Sequence, residues 1–145
     1  MKVKCIFNTG KALRPYEGKP LKSYEFGKFG ASESTHYGLL EIGREYIVMG
    51  IFLREGVLGY LIDDGGVIST YPYQLFEVTD NKLPADWYFR AFTREDDRFP
   101  YQEAVWGYYE LCFEDNHYEQ LVEREEQAMR IYYRRKIEFE KALAE

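Results

Sequence analysis

The chain is poor in the residues that build metal sites and covalent cross-links. Its 145 residues include two cysteines, Cys5 and Cys112, and two histidines, His36 and His117. The cysteines lie far apart and match no paired ligand spacing, so they read as two buried thiols of a reducing compartment. Neither histidine has a partner at ligand spacing, so neither a metal nor another cofactor is expected. No apolar run approaches the roughly 20 residues that span a bilayer. The opening stretch, residues 1–7, is too short and too polar in continuation for a signal peptide. A cytoplasmic location is the expectation that follows.

Catalytic patterns are missing as well. Ser32, Ser34, Thr35 and His36 are neighbours, but no nucleophile elbow or oxyanion loop surrounds them. Gly65-Gly66 lacks the strand-to-helix context of a phosphate cradle. The carboxylate pairs Asp63-Asp64 and Asp96-Asp97 are adjacent residues that diverge on turns, whereas an acid–base couple faces across a cleft. The expectation is a protein without catalytic activity.

What the chain has in quantity is aromatic surface and charge. Aromatics make up 18% of it, led by fourteen tyrosines, whose apolar body and polar tip suit half-buried sheets and protein interfaces. With 46% hydrophobic and 30% charged residues, it fits one folded domain over residues 1–145. The net charge of −6 is uneven: residues 1–60 hold nine basic and six acidic side chains, residues 61–145 ten and nineteen. Such a balance opposes binding to a phosphate backbone and suits a cationic partner.

The fold class expected is α+β, mainly β over residues 1–92 and helical over residues 100–145. Glu45 to Leu53 is apolar at nearly every position, which predicts a strand buried on both faces. Arg54-Glu55-Gly56 turns the chain into a return strand, Val57 to Ile62. Asp63-Asp64-Gly65-Gly66 is a strong hairpin signal leading to Val67 to Tyr71. Pro72 ends that ladder, and Leu75 to Val78 resumes extended structure. Val3 to Phe7 predicts a first strand and Trp87 to Phe92 the last. Residues 11–37 are punctuated by Pro15, Gly18, Pro20, Gly27 and Gly30. They predict either a short strand at Ser23 to Phe26 or a functional loop.

Pro100 suits a first helical turn, and Val105, Tyr108, Tyr109 and Cys112 recur at helical spacing, predicting a helix from Tyr101 to Phe113 weakened by Gly107. Asp115 or Asn116 would cap a final helix, Tyr118 to about Leu143. Its stripe of Tyr118, Leu121, Val122, Ala128, Met129, Tyr132, Tyr133 and Ile137 would pack on the sheet.

The pattern of Gly43, Tyr46 and Val48, then Tyr60, Asp63-Asp64-Gly65, Tyr71-Pro72 and Leu75-Phe76-Glu77-Val78 resembles that of small bacterial SH3-like barrel proteins. Some members of that group serve as immunity partners of secreted toxins. The resemblance covers residues 43–80 and rests on turn and core positions. It implies a small antiparallel SH3-like barrel, or a bent sheet, covered by C-terminal helices. It further implies an immunity protein that neutralises a basic toxin, such as a nuclease, by occluding its active site. The other reading is a regulatory SH3-like module that binds a peptide or nucleic acid through an aromatic patch. Two groups of side chains are candidates for partner binding. One is acidic: Glu95, Asp96, Asp97, Glu103 and Glu110. The other is aromatic: Tyr71, Tyr73 and Trp87, beside Tyr88.

Overall fold

The computed structural model describes residues 1–93, 96 and 101–144. Among these residues, eight strands form two antiparallel sheets: β1 Lys2–Cys5, β2 Glu45–Ile47, β3 Gly50–Arg54, β4 Val57–Asp64, β5 Val67–Pro72, β6 Phe76–Asp80, β7 Tyr88–Ala91 and β8 Gln102–Gly107. One sheet has the order β2-β1-β6, the other β5-β4-β3-β8-β7. Three helices follow: α1 Tyr109–Phe113, α2 His117–Val122 and α3 Glu126–Ala144. The expected α+β class with C-terminal helices is therefore present. Among the described residues the strands do not close into a barrel.

The apolar run at 45–53 is divided between the sheets. Its first part pairs with β1 and its second with β4 and β8, while Val48 N–H donates to Met1 C=O and Met49 N–H to Leu61 C=O. The run is buried on both faces for a simple reason. Tyr46 and Val48 join a core with Val3, Tyr60 and Ile62, between the two sheets. Met49 and Phe52 join a second core with Leu61, Val105, Tyr132 and Phe139, under the helices. In β4, Tyr60 and Ile62 face the first core and Leu61 the second, which is the side-chain alternation of a strand with no wet face.

The predicted helix from Tyr101 to Phe113 is instead strand, turn and helix. Had residues 102–107 coiled, the second edge of β3 would have lost its ladder partner inside the protein, where unpaired backbone groups are costly. β8 supplies that partner and β7 pairs outside it at the sheet's edge, so Trp87 to Phe92 is not the last strand in chain order, because β8 follows it. Gly107 serves the strand rather than weakening a helix. It stands opposite Gly50, and Leu111 of α1 fills the hollow the two leave. A β-carbon on Gly107 would stand 2.6 Å from Leu111 Cδ2 and 3.2 Å from the Met49 carbonyl oxygen. A Gly107→Ala variant is therefore expected to lose about 1–3 kcal/mol of stability to overpacking, readable as a lower urea midpoint at constant slope.

The single predicted final helix is two, broken at Arg124, whose φ is +59°. Glu119 and Glu123 repel at four-residue spacing and favour an end there. Arg124 also donates to the Gly66 carbonyl at 3.2 Å, and Tyr133 donates to Asp63 at 3.0 Å, tying α3 to the Asp63–Gly66 hairpin. Ala128, Tyr132 and Phe139 are the buried stripe of α3, whereas Val122 and Ile137 face solvent.

Residues 11–37 hold a 3-10 helix, Gly10–Tyr16, and otherwise irregular chain, with no strand at Ser23 to Phe26. Arg14 organises it, donating to the carbonyls of Ala31 and Lys22 at 3.2 Å each, while the buried Glu17 accepts the Lys28 N–H at 2.7 Å.

A candidate protein-binding cleft

Where the ends of β3, β7 and β8 meet the elbow between α1 and α2, the surface opens into a cleft of about 510 Å³. Each wall follows from a local feature. Phe52 and Arg54 come from the end of β3, and the turn after it holds Glu55 at φ +48°. Its N–H donates to the Tyr101 carbonyl at 3.2 Å, and Gly56 N–H donates to the Glu103 carboxylate at 2.8 Å. β7 contributes Arg90, followed by Phe92. The short α1 ends at Phe113, so Glu114 and Asp115 project at the elbow, and Tyr118 and Glu119 follow in the first turn of α2.

The floor is apolar. Phe52 packs against Tyr118 with ring centroids 4.9 Å apart, Leu111 lines the cleft beside them, and Phe92 lies under the Arg90 guanidinium at 4.6 Å. Four carboxylates line the cleft, Glu55, Glu114, Asp115 and Glu119, against two guanidiniums, Arg54 and Arg90. Arg90 is neutralised from within: it donates to Asp115 at 2.9 Å, to Asp96 at 3.0 Å and to the Cys112 carbonyl at 3.2 Å. These contacts, led by the Asp115 hydrogen bond, hold its proton more tightly than usual. Asp96 in turn accepts Thr93 N–H at 2.7 Å, which with Arg90 keeps it ionised below the ordinary range. Glu114 and Glu119 are left exposed at the mouth.

Burial pushes the Cys112 thiol up to about 11, so it is not a nucleophile at neutral pH. Among the described residues no group of three His, Cys, Asp or Glu side chains could hold a metal ion. A broader concavity of about 640 Å³ runs along α3, lined by Arg124 before the helix and by helix residues from Glu126 to Ile137.

The residues singled out in the sequence are dispersed. Asp96 is at the cleft through Arg90, and Glu103 supports its rim through Gly56. Glu95 and Asp97 lie outside the described residues. Glu110 does not share a patch with Asp96 and Glu103. Its side chain is 11% exposed and faces α3, where Arg135 donates to both carboxylate oxygens at 2.9 Å. Tyr71 donates to the buried Asp64 and meets Tyr37 edge-on at 5.9 Å. Tyr73 is exposed on the 3-10 helix Tyr73–Leu75. Trp87 sits where the two cores meet, edge-on to Phe139 at 6.4 Å. Tyr71 lines a concavity of about 340 Å³ that Tyr73 and Trp87 do not line. Sequence reasoning missed Arg90, Phe92, Glu114, Asp115 and Glu119 as site residues. The one available signal was Arg90, a lone charge in the apolar run from Trp87 to Phe92.

No family model, curated protein or solved structure matches this chain. Among the described residues no helix is long and apolar enough to cross a membrane.

Proposed function

We propose that this is a non-catalytic binding protein whose cleft receives basic side chains of a protein partner. The observation that carries the reading is the cleft itself: an apolar floor rimmed by carboxylates, with its deepest cation already paired. An arginine or lysine entering it would bury its methylene stem on Phe52 and Tyr118 and set its charge among Glu55, Glu114 and Glu119. The partner class fits a basic toxin, such as a nuclease, which the protein would neutralise in the cytoplasm by covering its cationic active site. The toxin partner itself comes from the resemblance of residues 43–80 to small SH3-like barrel proteins.

Binding to the product of the neighbouring gene is the direct test. A Glu114→Lys, Glu119→Lys variant reverses two exposed charges and should weaken the complex by about tenfold or more. Unchanged affinity would reject the cleft. The absence of any complex tighter than about 1 μM would reject the partner.

A further inference from the structure

β7 is the outermost strand of its sheet and has β8 on one side only. Phe92 N–H donates to the Glu103 carbonyl across that ladder at 2.9 Å. In the alternation of an antiparallel pair, Tyr88, Arg90 and Phe92 therefore turn their N–H and C=O groups to β8, and Phe89 and Ala91 turn theirs outward. Among the described residues no strand takes those outward groups. Proteins usually blunt such an edge with proline, lysine or a covering segment. This edge carries aromatics instead. Tyr88 is 47% exposed and Phe89 50%, and Tyr88 meets Tyr109 at 5.5 Å and Phe113 at 5.8 Å, both also exposed. The aromatic cluster ends at α1, directly before Glu114 and Asp115 of the cleft.

We propose that β7 is a docking edge onto which an extended, basic segment of a protein partner adds as a further strand. Main-chain bonds to Phe89 and Ala91 would hold it. Every second side chain of the added strand would lie on the face of Tyr88 and Arg90, where its cations would reach the cleft carboxylates, and the intervening ones would lie on the Phe89 face. The inference rests on the binding role proposed for the cleft and adds the mode of recognition. The occupant follows from charge: a second copy of this chain would bring two acidic rims together, whereas a basic strand meets an acidic one.

The test is amide hydrogen exchange on the intact protein, with and without a peptide of alternating lysine and phenylalanine, against one of alternating glutamate and phenylalanine. The lysine peptide should slow exchange at Phe89 and Ala91 by about tenfold or more. An Ala91→Pro variant removes an outward N–H but no ladder bond, and should weaken peptide binding by about tenfold or more. Ala91→Val keeps that N–H and should bind like the parent. Three results would each overturn the proposal. They are unchanged exchange at Phe89 and Ala91 with the peptide saturating, equal protection by both peptides, and protection that rises with protein concentration alone. A peptide that binds and perturbs only Glu114 and Glu119 would remove the strand addition and leave the cleft reading standing.

Discussion

An Arg135→Met variant should be less stable than the parent by about 2–3 kcal/mol, because it strands the Glu110 carboxylate among buried side chains. In the parent, Arg135 grips both carboxylate oxygens at 2.9 Å, and Arg134 adds a looser contact at 3.8 Å. Burial raises the pKa of Glu110, but the Arg135 hydrogen bonds outweigh it, so the group ionises below its ordinary range. A depressed carboxylate pKa contributes stability above the unfolded value, which is lost as pH falls through the folded one. Urea titrations at neutral pH should therefore show the deficit clearly, and it should shrink in acid. Arg135 retains partial exposure, at 24% for its side chain, which keeps the effect below that of a fully buried pair. A double variant, Arg135→Met with Glu110→Leu, should recover most of the loss, since replacing both partners by apolar groups leaves no orphaned charge.

The second large effect is a loss of stability in mild acid that belongs to one residue. His117 is 1% exposed at the start of α2, and its Nε2 lies 2.6 Å from the Tyr108 hydroxyl. Burial drops its pKa from 6.5 to about 4, and the Glu110 carboxylate pulls only weakly the other way. The Tyr108 phenol is held protonated by the same burial, so a neutral imidazole can accept its hydrogen. A charged ring would have to donate there instead. The unfolded chain binds a proton on this histidine below about pH 6.5 and the folded chain resists it until about pH 4. Stability therefore falls as pH drops through that window, by up to about 3 kcal/mol. A His117→Gln variant keeps an acceptor for Tyr108 without the titration. Its stability should fall less steeply than the parent's over the same window, and an equal slope in parent and variant would contradict the assignment.

How much of this was legible in the sequence follows from the range of each interaction. The hairpins at Glu55-Gly56 and Asp63–Gly66 are specified by residues next to one another, so turn chemistry located them. Two-sided burial of the run at 45–53 was legible because such a run has no polar parity. The helix read over Tyr101 to Phe113 failed because Val105, Tyr108, Tyr109 and Cys112 fit a helical period by coincidence. The deciding fact, that β3 needs a second neighbour, is tertiary. The acidic patch was dispersed for the same reason: Glu110 is neutralised by Arg135, 25 residues away. The cleft was out of reach, since β3, β7, β8 and α1–α2 contribute to it from 68 positions of chain between Phe52 and Glu119.

The most direct measurement is an amide chemical-shift map of the labelled protein titrated with the product of the neighbouring gene. The largest shifts are expected at Glu55, Gln102, Glu114, Asp115 and Glu119, and they should weaken as ionic strength rises to about 0.5 M. Shifts centred on β1 and β6, or a response indifferent to salt, would contradict the acidic cleft as the binding site.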